Sequence, residues 1–545
     1  MKNKLITRNL MLLIMLLFTL MTSYNGLAKD VSGTVSGTWT TNNSPYRVTN
    51  NIQVAVLTIN PGVTVVFAGN YVFQVAGVLK ANGTPTAPIV FMGTNGGWQG
   101  IYFNNSSPGS VLAYCTVSNS VNSGIRIINS SPAIKSCFIT SNSSGSSIYG
   151  GGIYVNNASV NLTITDTTIA NNKSNINPAF NPYNVSYGGG IYAIMNTNTL
   201  EMSGCVVTNN ISNGNYGYGW AYGGGVSIYN GKVKLNWCVI SENSCIAQTE
   251  GGVTGGAAWG GGIFSSGNIT LNNCLLKNNT ASSPDTGTGD EYAYGGAIYI
   301  WPGSSVAMTN CVVQANAASA PDGSAGGGIC VGGGLYDHTG QYMGGGGSLN
   351  VVNCTIGYDN LAGLAISSGA TVNVLNAIVY FNASGGTQIT GVSGSTGTPN
   401  VTYSDVQGGF TGVGNINLNP IFYSTDNLII VPGSPCVDKG NTNIIYNDAW
   451  FPPSLGNSLA TKFRNDMGAQ GGPGAGAKMT LQTWPQVEVK CFGGVPGYNY
   501  EIDASTNLVN WQALQQYQIN NLGDVMDYLE TNNLPFRCYK LNVLP

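Results

Sequence analysis

Charge is scarce in this 545-residue chain: Lys and Arg number 19, Asp and Glu 22, with a single His and a formal net charge of −3. Such a surface offers no basic track for a phosphate backbone, so no nucleic acid partner is expected. One His excludes imidazole-rich metal centres, and the other donors show no four-ligand spacing, so neither a metal nor a cofactor is expected. Long apolar runs are missing as well, apart from Leu10 to Met21, which follows Lys2, Lys4 and Arg8 and precedes Gly26-Leu27-Ala28. A membrane span needs about 20 residues, so residues 1–28 read as a secretory signal peptide and the mature chain is expected to have no transmembrane segment. Gly, at 77 residues, follows no triplet period, which excludes collagen and fits a turn-rich all-β chain.

What is abundant is repetition. Gly151-Gly152-Ile153 recurs as Gly189-Gly190-Ile191, Gly224-Gly225-Val226, Gly261-Gly262-Ile263, Gly296-Ala297-Ile298 and Gly327-Gly328-Ile329. After each comes a rung in which Cys115, Cys137, Thr167, Cys205, Cys238, Cys274, Cys311, Cys354 and Ala377 hold one position and a branched residue follows two places later. Alternation at i and i+2 is the strand period, so both positions face inward. Five residues after the Cys position stands Asn142, Asn172, Asn210, Asn243, Asn279, Asn316 or Asn382, whose amide can bond the coils above and below as in stacked parallel strands. The shortest spacing, 22 residues from Cys115 to Cys137, sets the size of one coil; five successive longer coils take extra residues between the Asn and the next Gly pair, and a Gly-rich insertion, Gly332 to Gly347, lengthens a later one. Insertions at one place in successive coils must emerge along one edge of a stack.

The body from about residue 30 to 390 resembles secreted right-handed parallel β-helix proteins. Its Gly-Gly-Ala-Ile-like repeats and trailing Asn resemble those of the polymorphic outer-membrane protein family of adhesins and autotransporters. Leu418-Asn419-Pro420, Pro435-Cys436-Val437-Asp438-Lys439-Gly440 and Asp466-Met467-Gly468-Ala469 resemble the closing segment of bacterial β-helix proteins. Tyr500 to Trp511 resembles terminal modules similar to fibronectin type III. The expected organisation is therefore a signal peptide at 1–28, a right-handed parallel β-helix at 29–395, its cap at 396–470, a Gly-rich linker at 471–478 and a small antiparallel β module at 479–545.

Cysteines on in-register parallel strands point the same way, so the column is expected to be buried free thiol rather than disulfide. Two aromatic columns are the candidate ligand-binding residues. Tyr149, Tyr187, Tyr222, Trp259 and Tyr294 precede the repeat Gly, while Tyr154, Tyr192, Phe264 and Tyr299 follow it on the outward phase. Rings on successive coils form a rail for an extended polysaccharide or surface glycan. The chain is thus expected to be a non-catalytic extracellular binding protein or adhesin, secreted or held at a bacterial cell surface. The alternative is a polysaccharide lyase or glycoside hydrolase of the pectin-lyase-like fold. Its weak catalytic candidates are the loop carboxylates Asp290, Glu291 and Asp322, because glycosidases pair two carboxyl groups.

Overall fold

The inward alternation of the sequence is realised in short strands, each paired in parallel and in register with its copy one coil earlier and one coil later. Ile153–Asn156, for example, lies between Ile125–Ile128 and Ile191–Ile194. The computed structural model describes residues 28–471 apart from 95, 146–148, 176–184, 215–218, 249–255, 285–290, 337–341, 393–396, 398, 432 and 447–463, together with strands between 478 and 544. Thirty-three strands join one sheet that winds into a parallel β-helix. Each coil has three faces, represented by Ile153–Asn156, Leu162–Thr165 and Thr168–Ala170. A single apolar core runs inside them from Trp39 to Val406. Parallel pairing begins at Lys29 and continues through Val379 with Val406, past residue 395, because Asn400–Thr402 and Asp405–Val406 still add to the ladder.

The glycines of the repeat are a stereochemical requirement. In Gly223-Gly224-Gly225 the first residue sits at φ +63°, in the left-handed region. A Cβ on Gly224 would collide with the Gly261 carbonyl oxygen of the next coil, and one on Gly225 would lie 2.9 Å from the Asn243 amide nitrogen. The first two obstacles demand Gly and the third admits nothing larger than the Ala297 of a later coil, and that corner brings the first face of one coil against the next.

Asn243 shows what fills the space. Its Nδ2 donates to Val207 O at 2.9 Å and to Asn279 Oδ1 at 3.0 Å, while its Oδ1 accepts from the backbone N–H and the Nδ2 of Asn210, both at 3.0 Å. The same pattern runs through Asn142, Asn172, Asn210, Asn279 and Asn316. At the seventh rung Asp359 replaces Asn, accepting from Asn316 N at 2.7 Å and Asn316 Nδ2 at 3.0 Å. Burial raises its carboxyl to about 7, against the hydrogen bonds from Asn316 that oppose the shift. Gln388 closes the ladder by accepting from Asn382.

The seven cysteines of the column are buried and unbridged, as are Cys245, Cys330 and Cys436. The column is more than apolar filler. Cys274 donates its S–H within reach of Leu235 O and Asn272 O, and its own N–H donates to Cys311 Sγ at 3.4 Å. Where Thr167 or Ser404 holds this position, the hydroxyl accepts the same N–H. A small side chain fits the corner, and in most coils it also accepts and donates; Ala377 fills it without doing either. Burial pushes the Cys205, Cys274 and Cys311 thiols well above their ordinary range, so the folded protein should resist a thiol reagent at pH 8. Unfolding without reductant should then release these thiols for titration; a Cys205–Cys238 bond in a non-reduced peptide map would contradict the ladder.

The insertions build a second layer. Immediately after the ladder Asn, Lys173–Asn175, Ile211–Gly214, Ser244–Ala247, Thr280–Ser282 and Ala317–Ser319 stack into one parallel sheet. Just before the Gly corner, Val185–Tyr187, Trp220–Tyr222, Ala257–Trp259, Tyr292–Tyr294 and Gly323–Ala325 stack into another. Small residues such as Ala221, Ala258, Ala281, Ala293 and Ala318 fill the space between these sheets. Aromatic residues fill the space between the second sheet and the first face.

The closing segment first covers the edge of the last coil, where Val413 and Ile416 bond the backbone of residues 403–406, and then runs along the side of the preceding coils. Leu428 and Ala469 pack on Val312, and Ile430, Cys436 and Met467 pack on Ile378 and Tyr380. The left-handed corner residues Asn310, Asn353 and Asn376 hold it through hydrogen bonds to Ala469, Gly471, Asn465, Asn441 and Gly468. Farther on, Lys478–Gln482, Glu488–Phe492 and Met526–Leu529 form one antiparallel sheet, and Asn499–Ser505 pairs with Gln512–Gln518 and Cys538–Leu544 in another.

Candidate functional site

The aromatic columns stand in the predicted register, since Tyr154 pairs with Tyr192 and Phe264 with Tyr299 on neighbouring strands. They point out from the coil, as alternation requires, but most do not meet solvent. Tyr192 and Phe264 are 3% exposed and Tyr299 is fully buried. Tyr222, Trp259 and Tyr294 are buried opposite them, and the rings interlock, with Tyr222 to Trp259 at 4.7 Å and Tyr222 to Phe264 at 4.6 Å. The expectation of a solvent-facing rail over these positions is therefore corrected. Insertions that stack as strands lay a roof over the first face, and the rings become the core beneath it. Of the nine candidate rings only Tyr149, Tyr154 and Tyr187 remain half-buried.

The strip opens at its N-terminal end, where the roof begins. There Tyr102, Arg126 and Tyr154 are successive neighbours in register on three coils, all half-buried. The Arg126 guanidinium lies 4.4 Å from the centre of the Tyr102 ring, and Nη2 donates to Gln99 O at 3.3 Å. Burial lowers the Arg126 pKa, partly offset by Tyr102, and its Nε is enclosed without a hydrogen-bond partner. Tyr149 stacks on Tyr154 at 5.4 Å, and Asn156 Nδ2 donates to the Tyr154 hydroxyl. The platform thus presents ring faces, a cation and amides over three coils. Neither Tyr102 nor Arg126 is among the candidates the sequence singled out; Tyr102 sits before the clear Gly repeats, and its alternation with Ile101 and Phe103 was the available signal, while Arg126 is the lone Arg of the regular coils.

The carboxylates converge in part. Asp322 Oδ2 accepts the Glu291 N–H at 3.0 Å, and this bond holds Asp322 below the usual carboxylate range. Glu291 is buried while Asp322 is exposed and borders a cleft of about 350 Å³ with Tyr292, Tyr294 and Ser324. Asp290 lies outside the described residues, as do Phe180, Tyr183, Tyr216, Tyr218, Glu250, Asp285 and His338. Among the described residues no three His, Cys, Asp or Glu side chains are grouped as a metal site would need, and no helix is long and apolar enough to cross a membrane. No family model matches the chain, and no curated protein matches it.

Proposed function

We propose that this is an extracellular or cell-surface binding protein that holds a polysaccharide or surface glycan on the open end of its aromatic strip, without catalysis. The observation that carries the reading is Arg126 between Tyr102 and Tyr154 on consecutive coils. Sugar rings present C–H faces that pack on aromatic rings, and the guanidinium offers several fixed donors to hydroxyl or carboxylate oxygens. Spacing of ~4.8 Å per coil lets neighbouring residues meet successive parts of an extended chain. Low overall charge suits a neutral or weakly acidic polymer. Extracellular placement rests on the N-terminal segment 1–28, and the antiparallel module, which resembles fibronectin type III, is read as a spacer or protective cap.

Contact between Glu291 and Asp322 favours this reading over a glycosidase. The Glu291 carboxyl is closed off from solvent while its backbone N–H holds Asp322, so the two carboxyl groups do not face an open site from the two sides of a glycosidic bond, ~5–10 Å apart, as retaining and inverting mechanisms need. The test is affinity on glycan arrays and insoluble polysaccharides. Tyr154→Ala and Arg126→Gln should each weaken binding on the order of tenfold, the latter more for acidic glycans. Unchanged binding in both variants defeats the proposal, and so does the release of new reducing ends or unsaturated products by the wild-type protein.

A further inference from the structure

The roof layer ends at Gly323–Ala325, because the next coil passes from Asp359 to Gly363 without an insertion. Two strand edges would be left open there, and they are treated differently. At Ala317–Ser319 the side chain of Asn360 closes the edge: its Oδ1 accepts the Ala318 N–H at 3.0 Å and its Nδ2 donates to Ala318 O at 2.9 Å. That amide imitates one residue of a further strand. At Gly323–Ala325 no described residue does the same. Ala325 turns its carbonyl back to Gly295 N, so alternation turns the N–H and C=O of Ser324 the other way, into the 350 Å³ cleft. The far wall is Leu361, Ala362 and Val392, and Asp322 stands exposed at the start of the strand.

From this geometry we infer that the cleft is a peptide-binding site in which an extended segment of another protein adds to Gly323–Ala325 as the next parallel strand, with a basic residue opposite Asp322. The preceding strands state the side-chain preference. Their first and third positions, as in Trp220-Ala221-Tyr222 and Tyr292-Ala293-Tyr294, send rings into the aromatic core, and their middle position sends a small residue between the two roof sheets. Gly323 and Ala325 supply no rings, so the aromatic columns stop at Tyr292 and Tyr294, both of which border the cleft. A segment of the form basic, aromatic, small, aromatic continues the columns, pairs its charge with Asp322 and satisfies the Ser324 backbone. The size of the cleft falls within the roughly 300–1,000 Å³ of ligand sites.

The probe is the peptide acetyl-Gly-Lys-Tyr-Ala-Tyr-Gly-amide, titrated calorimetrically into the full-length protein. N-methylation of the second Tyr removes the donor that faces Ser324 O and should weaken binding at least about tenfold, whereas N-methylation of the Ala, whose N–H faces away, should change it little. Ala325→Tyr, which fills the third column from within, should abolish binding. Asp322→Lys should reverse the preference between the Lys peptide and its Glu counterpart, while Arg126→Gln should leave peptide binding intact, which separates this site from the glycan platform. Absence of binding at millimolar peptide, or equal effects of the two methylations, overturns the inference. A dimer that forms without peptide and is lost in Ala325→Tyr overturns it in favour of a second copy of the chain.

Discussion

Asn243→Ala is expected to lower the unfolding free energy by about 3–5 kcal/mol, measured by guanidinium denaturation with far-UV circular dichroism. The side chain is fully buried and makes four hydrogen bonds, two of them to backbone groups of the preceding coils, the Val207 carbonyl and the Asn210 N–H. Truncation leaves both without their side-chain partner in a site closed to solvent, at ~1–3 kcal/mol each, and opens a small void beside Gly225. Asn268→Ala, on the exposed second face, is the control and should cost under about 0.5 kcal/mol. Equal effects of the two substitutions would show that the buried ladder contributes no more than surface polarity.

Asp359→Asn should act in the opposite direction, stabilising the protein above neutral pH by on the order of 3–4 kcal/mol while changing little near pH 4. In a regular rung the Asn Nδ2 donates both to a carbonyl of the preceding coil and to the next amide oxygen, as Asn316 and Asn279 do. At Asp359 that place is taken by Oδ2, which has no hydrogen-bond partner and packs against Gly328. A protonated carboxyl can donate there; a carboxylate places negative charge among acceptors. The folded pKa of about 7 exceeds the ordinary carboxyl value of 3.8, so the folded state binds more protons between these limits and stability falls as pH rises through that window. Asp405 and Asp466, each raised by burial to about 6, add slopes of the same sign. A variant whose stability keeps the full wild-type pH slope between 4 and 8 would rule out Asp359 as its main source.

The coil was legible in the sequence because its corners are stereochemically exacting. Gly alone passes the first two obstacles at 223–225 and Gly or Ala the third, a short amide spans two coils at Asn243, and a small side chain suits the Cys274 position. The roof was not legible from insertion length, which says where a segment leaves the stack but not whether it stacks in turn. The signal lay in composition just before the Gly corner: Trp220-Ala221-Tyr222, Ala257-Ala258-Trp259 and Tyr292-Ala293-Tyr294 alternate small and aromatic residues with strand period. Reading those rings as a solvent-facing rail treated each column alone, whereas two columns of rings on facing strands bury each other. What remained exposed, around Arg126 and Ser324, lies at the two ends of the roof, and where such a layer starts and stops depends on coils that carry no insertion.

The double wall also sets how the body would carry load. Ladder hydrogen bonds run along the long axis, so tension applied from end to end would peel one coil after another instead of shearing many strands together. Each coil released between Cys238 and Cys274 would yield 36 residues, or ~120 Å of slack. Coils that carry the roof hold two more strands and an aromatic seam than the coils beside them. The molecule would therefore be weakest toward its ends and toughest in its middle, a tether that lengthens in steps and keeps its central stretch until last.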